Sequence, residues 1–377
     1  MYFTAYMYFR LEMLPVHCSM AALDPRTHLS QLARFILMPT TVVAFTATRV
    51  CTLLFVQKFG GTKMEYVKSV RSALRPRTLF ASACPVLMTA SLLYKSHGVS
   101  LLQLDALAAL GCAVLTQLLG NLSAVYSNFQ RTLQPKQPGA ADGKIILNPS
   151  NNCITKFDRS FVHRSLLSLT QVRRWSFLFY GIQLALLGVT HVICDKSVEV
   201  TGGMALLVTL ALIYCRRGEE PLPMVGLREV VVAWALGPVA MLSTSVYLIG
   251  EVPWAVVLYA YLVMLFAWAF LVLESARDAP FARRMGRSDT SLALRLGFQW
   301  SFQGFLLLMV SFYGMLLVLG IAMGHLGNFL LVVSIVKLKD ISEEFRLERL
   351  NHLPDKFARL ASFLGVGLII SILAGLS

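Results

Sequence analysis

Two stretches of this largely apolar chain hold polar side chains that could bind a ligand. The first is Leu118–Asn128, read LLGNLSAVYSN, and it carries Asn121 and Asn128 at the end of an apolar segment. An amide at that place could contact a lipid phosphate or headgroup. An asparagine near the end of a membrane helix also serves as a cap or as an interhelical hydrogen-bonding group. Both interpretations remain open from the residues alone.

The second stretch is Glu274–Arg287, read ESARDAPFARRMGR, and it combines Asp278 with four arginines. The candidate phosphate-binding or lipid-headgroup-binding residues are Arg277, Arg283, Arg284 and Arg287. Several guanidinium groups at one helix end can bind a diphosphate or cardiolipin. A basic loop on the positive side of a membrane needs no such ligand. Asp278 beside arginines could belong to a remnant cation site but is more simply explained by an ion pair in a solvated loop.

The composition places these stretches in a polytopic membrane protein. The chain has 377 residues, of which 56% are hydrophobic and only 14% charged, with a mean hydropathy of +0.65. Its net charge of +14 lies in loops between apolar segments, where basic residues set orientation and contact anionic lipid headgroups. We therefore expect membrane lipids as partners and no nucleic acid. The seven scattered cysteines predict neither a disulfide framework nor a zinc site.

Apolar segments of membrane-crossing length predict an all-α bundle of nine transmembrane helices. The predicted spans are residues 77–96, 104–129, 175–194, 200–215, 229–249, 252–273, 299–323, 325–338 and 359–376. The loops between them alternate between a basic set and a set with almost no Lys or Arg. The positive-inside rule puts the basic set, which includes both polar stretches, on the cytosolic or matrix side.

The domain organisation follows from the same pattern. Residues 1–63 form an N-terminal extension with an apolar helix at 35–56, which is a candidate for an extra span interrupted by Arg49. Residues 64–377 form the transmembrane domain. Within it, the loop at residues 130–171 is basic, rich in Pro, Gly and Asn, and longer than most connections in a compact domain. It is interpreted as a lid, a docking loop or a disordered segment.

Several short sequences, in their order and spacing, resemble the UbiA superfamily of membrane prenyltransferases, and in particular its menaquinone-forming, 1,4-dihydroxy-2-naphthoate prenyltransferase-like branch. They are Ala73–Pro76, Tyr94–Gly98, Gly120–Leu122, Leu236–Pro238 and Leu350–Pro354. The resemblance covers roughly residues 64–377 and implies a UbiA-like bundle of nine helices. It also identifies the two polar stretches as the positions of the two Asp-rich diphosphate motifs.

The resemblance implies aspartates one helical turn apart that hold Mg²⁺ and, through it, an isoprenoid diphosphate. In the first motif these positions follow Asn121 and fall on Ala124 and Asn128. In the second motif Asp278 matches the leading aspartate, but Ala282 stands where the next one is expected. No catalytic residue and no metal ligand other than Asp278 can be assigned, so no cofactor is expected.

Joint loss at both motifs favours a non-catalytic relative, retained as a structural or lipid- or quinone-binding accessory subunit of a larger membrane complex. The quinone connection of the family suggests a respiratory complex of the mitochondrial inner membrane, with protein subunits, cardiolipin or quinone as partners. The alternative is an active Mg²⁺-dependent prenyltransferase that joins a polyprenyl diphosphate to an aromatic quinone precursor. That alternative needs Asp278, Asp142 or Asp158 to build a substitute site, or arginines to stabilise the leaving diphosphate.

Overall fold

The computed structural model describes residues 78–133, 169–217, 227–284 and 292–375, and these contain helices and no strands. The prediction of an all-α fold is therefore confirmed for this part of the chain. All of these residues belong to one compact unit. The N-terminal extension 1–63, its apolar helix 35–56 and loop residues 134–168 lie outside the described residues, so those predictions stay predictions.

Twelve α-helices and one π-helical segment follow one another in the described ranges. The helices are α1 (Leu79–His97), α2 (Leu104–Leu133), α3 (Leu169–Ile193), α4 (Val198–Arg217), α5 (Leu227–Trp234), α6 (Ala240–Ile249), α7 (Trp254–Arg284), α8 (Leu292–Leu296), α9 (Phe298–Ala322), α10 (Gly327–Val332), α11 (Ile335–Arg346) and α12 (Leu353–Ala374). The π-helical segment Ala235–Val239 joins α5 to α6 without a break.

Seven stretches among the described residues are long and apolar enough to cross a membrane, which supports an integral membrane protein. They are Leu79–His97, Leu104–Ser123, Arg173–Ile193, Glu229–Ile249, Trp254–Pro280, Phe298–Ala322 and Leu353–Ala374. The apolar part of α4, Val198–Ile213, is shorter than these. The predicted count of nine spans is therefore not confirmed, although each of the seven overlaps a predicted span.

The predicted span 325–338 is not one continuous helix. The structure divides it into the six-residue helix α10, a turn at residues 333–334, and the first residues of α11. Only about ten apolar residues precede Lys337, too few to cross the hydrocarbon as an α-helix. From Lys337 onward α11 is amphipathic, with Leu338, Ile341 and Phe345 buried on one side.

A close helix contact is built around the π-helical segment. Pro238 has no backbone N–H to donate, and such a residue is a common cause of a local change in helical hydrogen bonding. The neighbouring Gly237 is buried, and a Cβ atom there would stand 2.7 Å from both the Ala260 carbonyl oxygen and the Met264 backbone nitrogen. Glycine therefore lets the backbones of this segment and α7 approach each other.

Hydrogen bonds fix which helix ends lie together. Tyr259, near the start of α7, contacts His325 in the loop after α9, with 2.6 Å between the hydroxyl oxygen and Nδ1. Lys95, at the end of α1, donates to the carbonyl of Gly375 after α12. Lys196 reaches both Asp105 at 2.9 Å and the Leu248 carbonyl at 3.0 Å. The loops with almost no Lys or Arg thus meet at one end of the bundle, and both motif stretches lie toward the other, called here the motif end.

Candidate functional site

At the first motif, Asn121 is held inside the bundle by its neighbours. Its side chain is 5% exposed, and its amide nitrogen donates to the Thr78 hydroxyl at 3.0 Å, which links α2 to the residue preceding α1. Gln117, one turn earlier on α2, donates to the Asn121 carbonyl oxygen at 3.3 Å. The amide therefore has an interhelical hydrogen bond of the kind that stabilises membrane helix packing.

The other two first-motif positions, Ala124 and Asn128, lie in the following turns of α2. Their backbone is helical, so the one-turn spacing that the resemblance implies is present. Their side chains lie outside the described part of the structure. At both positions the residue type itself removes a carboxylate, because alanine has no side-chain oxygen and asparagine has no negative charge.

At the second motif, Asp278 is engaged by its own neighbour. Arg277 donates from Nε to Asp278 Oδ1 at 2.8 Å and from Nη2 to Oδ2 at 3.2 Å, so both carboxylate oxygens accept a bond from one guanidinium. This two-point geometry is the strong form of an arginine–carboxylate pair. The Arg277 side chain is 13% exposed and that of Asp278 is 41% exposed.

Three further carboxylates near this pair were not singled out from the sequence. Glu274 lies 3.9 Å from Arg277 Nη2, and Asp355 at the start of α12 is within electrostatic range of the same guanidinium. Glu229, 4% exposed on α5, accepts a hydrogen bond at 2.6 Å from Ser275. Glu229 and Ser275 join α5 to α7 one turn away from Asp278.

A signal for these residues was present in the sequence. Glu229 lies at the start of an apolar segment. An acidic side chain inside or at the edge of a membrane span is a functional-site candidate, because placing it in the membrane costs free energy. Glu274 precedes Asp278 by four residues, so the two carboxylates have the one-turn helical spacing of a metal-binding pair. Asp355 lies in the first turn of α12, where a carboxylate is favoured by the helix dipole.

The remaining second-motif residues lie at or beyond the end of α7. Ala282, Arg283 and Arg284 belong to its last turn, but their side chains are outside the described part, as is Arg287 entirely. Their proposed contact with phosphate or lipid headgroups therefore stays a prediction. Arg277 is the member of the arginine set whose partners the structure describes, and those partners are carboxylates.

The described donor set does not fit a Mg²⁺ site. Among the residues that the structure describes, no three His, Cys, Asp or Glu side chains lie close enough together to hold a metal ion. Mg²⁺ needs near-octahedral oxygen ligands, and both oxygens of Asp278 already accept bonds from Arg277. A cation would have to displace the guanidinium before it could use this carboxylate.

A second buried polar cluster lies at the opposite end of the bundle. His325 and Tyr259 are joined there by Asn328, which donates to the Tyr259 hydroxyl at 3.2 Å and accepts from Ser371 at 2.8 Å. The Tyr259 and Asn328 side chains are fully buried and His325 is 7% exposed. Burial, and secondly the nearby Lys95 ammonium, lower the pKa of His325 from its usual value of 6.5.

Comparison with characterised proteins gives the class of fold first. The chain is similar to the apo structure of a UbiA homolog from Aeropyrum pernix K1, with a TM-score of 0.56 and 16% sequence identity over 77% of this chain and 96% of that one. No family model matches the sequence. The molecule is thus an all-helical membrane bundle with the UbiA fold.

Sequence comparison finds relatives of the same superfamily. The chain is 26% identical over 314 residues to the human UbiA prenyltransferase domain-containing protein 1, covering 80% of this chain and 82% of that protein. It is 23% identical over 327 residues to the homolog from Drosophila melanogaster, covering 83% and 81%. These similarities support membership in the UbiA superfamily. Its relation to the menaquinone-forming branch stays a prediction.

Proposed function

We propose that this protein is a non-catalytic member of the UbiA superfamily that serves as a structural or lipid- or quinone-binding subunit of a larger membrane assembly. The observation that carries the proposal is the two-point pair between Arg277 and Asp278. The one motif aspartate that the sequence retains is neutralised by the residue next to it, at the place where family members are expected to bind a metal.

The first motif supports the same proposal. Asn121 uses its amide for a bond from α2 to Thr78, the residue preceding α1, so its polar group stabilises the bundle. Ala124 provides no ligand oxygen, and Asn128 provides at most a neutral one. An assembly in the mitochondrial inner membrane, with cardiolipin or quinone bound, is part of this proposal and rests on the family's connection to quinones.

A second candidate function, prenyl transfer to an aromatic acceptor, is favoured by one observation. Glu274 and Asp278 stand one turn apart on α7, and Glu229 and Asp355 lie at the same end of the bundle. The curated relatives are named as prenyltransferase-domain proteins, although those names describe the relatives alone. In this alternative a metal would have to compete with Arg277 for the carboxylates.

Isolation of the full chain from native membranes tests the proposal. The tagged protein is extracted in mild detergent, and co-migrating proteins and lipids are identified by mass spectrometry. The same preparation is assayed for transfer from a polyprenyl diphosphate to a dihydroxynaphthoate or hydroxybenzoate acceptor with Mg²⁺. We expect stoichiometric protein companions and no transfer above the rate without protein.

Three variants sharpen the assay. Asp278→Asn removes the charge of the motif carboxylate, and Arg277→Gln frees that carboxylate from its partner while Arg277→Lys keeps a cation as the matched control. If wild-type protein transfers a prenyl chain and Asp278→Asn abolishes the transfer, the prenyltransferase hypothesis replaces our proposal. A protein that runs alone, without companions, would also overturn it.

A further inference from the structure

The outward face of α11 carries charged side chains on a membrane helix bundle. Lys337 is 76% exposed and Asp340 is 60% exposed at the side chain, while Leu338, Ile341 and Phe345 turn inward. Glu343 lies one turn further along the exposed side. Lys337 and Asp340 approach each other only to 3.7 Å, an exposed pair three residues apart that contributes little.

The depth of this face follows from its contacts with α9. The Ser334 hydroxyl, just before α11, lies 2.7 Å from the Tyr313 hydroxyl. Phe345, eleven residues later, packs edge-on against Phe302, eleven residues before Tyr313, with 5.4 Å between the ring centroids. The two helices therefore run antiparallel, with one residue of α11 for each residue of α9 along the axis. Lys337 and Asp340 lie at about the same depth as Val310 and Leu307 of α9.

Those levels are inside the apolar belt of α9. The helix Phe298–Ala322 has no charged residue over 25 residues, and Val310 is at its midpoint. Val310 and Leu307 are 69% and 68% exposed, as expected of side chains that face lipid. At the same depth, α11 presents a lysine and an aspartate instead.

Contacts with α12 give a second, independent measure of the depth of α11 in the membrane. A Cβ atom at Gly367 would stand 2.3 Å from Leu331 Cδ2, and Lys356 forms an ion pair with Glu344. Between these two points, Lys337 is level with about residue 362, roughly two and a half turns inside the span Leu353–Ala374. Both neighbours of α11 therefore place its charges at hydrocarbon depth.

Charges at this depth need a polar partner or water. Ionised side chains inside a membrane are costly unless they pair with one another, face a polar cavity or reach the interface. The lysine has a long stem that can extend toward the headgroups. Asp340 does not have that reach, so its exposed carboxylate indicates a surface that another molecule covers.

A second copy of this chain is a poor candidate for that molecule. Two copies in one membrane have the same orientation, so a symmetric pair through this face brings Lys337 level with Lys337 and Asp340 level with Asp340. Like charges at short distance in low dielectric repel strongly. A different polypeptide can instead present the opposite charge at each level.

We propose that the face of α11 formed by Lys337, Asp340 and Glu343 is a docking surface for a membrane-embedded segment of a different polypeptide. That segment carries an acidic side chain opposite Lys337 and a basic side chain opposite Asp340. The inference rests on the proposed function, since it names the surface through which this subunit joins its assembly.

Photo-crosslinking combined with charge exchange tests this surface in the full chain in native membranes. A photo-reactive residue is placed at position 337, at position 340, or at Val318, a lipid-facing position of α9 that is 62% exposed. Separately, Lys337→Asp, Asp340→Lys and the double exchange are compared for companion recovery in mild detergent. The double exchange keeps net charge and the pair within α11 but reverses the charge at each depth.

We expect one stoichiometric companion to crosslink from positions 337 and 340 and not from position 318. We also expect the double exchange to lower recovery of that companion by about tenfold while the chain itself elutes as a single folded species. Full recovery in the double exchange, or crosslinks to lipid alone, would overturn the docking surface and leave the proposed function intact if companions still co-purify. Absence of companions from the wild-type protein would overturn both.

Discussion

At the scale of single residues, the arrangement around Asp278 decides how the second motif is understood. Arg277 donates to both carboxylate oxygens and also faces Glu274, so one guanidinium serves as the counter-charge for this part of α7. A guanidinium fixed by the chain can neutralise carboxylates but does not provide a divalent ion's open coordination positions for a diphosphate. Under the proposed function, Arg277 supplies the positive charge that a metal ion would supply in a catalytic relative.

His325 gives a prediction about pH at the same scale. Its pKa is lowered in the folded protein by burial and by Lys95, so the unfolded chain binds a proton more readily in the range below pH 6.5. Stability is therefore complete above that pH and falls as the pH is lowered toward the folded-state pKa, by at most about 1.4 kcal/mol per pH unit for one group.

Thermal denaturation in detergent between pH 8 and pH 5 measures this effect. We expect the wild-type midpoint to fall on acidification more steeply than that of His325→Gln, which keeps a hydrogen-bonding side chain without the titration. His352 is exposed and serves as the matched control position. Parallel pH profiles for wild type and His325→Gln would show that His325 does not contribute to the pH dependence.

At the scale of elements, the contact between the π-helical segment and α7 depends on Gly237. A Cβ atom there would stand 2.7 Å from backbone atoms of Ala260 and Met264. Backbone atoms of a helix cannot relieve such a clash by a change of rotamer, as a side chain can. We expect Gly237→Ala to force the helices apart and to destabilise the fold by about 1–3 kcal/mol.

The measurement is the thermal melting midpoint of Gly237→Ala in detergent, compared with that of a matched control variant on α3. Gly188→Ala places its Cβ where no atom beyond the neighbouring residues and local backbone of α3 lies within 4 Å, so it should leave the midpoint unchanged or raise it slightly through helix propensity. Equal midpoints for Gly237→Ala and wild type would mean that the close approach is not required for stability.

At the scale of the whole molecule, alternate loops belong to opposite ends of the bundle. Glu251 lies in the loop before α7, and Asn351 lies in the loop before α12, which is at the motif end. Because the helices between them cross the bundle an odd number of times, single cysteines at these exposed positions should react with a membrane-impermeant maleimide from opposite faces. The positive-inside rule places position 351 on the cytosolic or matrix side.

Sealed vesicles of known orientation, with a variant lacking the native cysteines as the background, provide the measurement. We expect labelling of position 351 from the cytosolic or matrix face and of position 251 only from the other. Labelling of both positions from one face would contradict the path of the chain through α7, α9 and α10–α11.

The sequence alone determined the class of protein and the order of its spans. Long apolar segments such as Trp254–Pro280 are typical of membrane helices, since a helix bonds its backbone polar groups within its own segment. The sequence also shows directly that residues 124 and 282 are alanines without a carboxylate, whereas their assignment to the two diphosphate motifs stays a prediction. The role of Asn121 and Asp278 as motif residues stays a prediction.

Only the tertiary structure decided which partners those groups have. The bond from Asn121 to Thr78 and the proximity of Asp355 to Arg277 join residues far apart in the chain, and no local spacing encodes them. The break of the predicted span 325–338 into α10 and α11 also depends on packing, since Phe345 is held by three phenylalanines of α9. Hydropathy records how apolar a segment is, whereas its depth and the face it exposes are set by its neighbours in space.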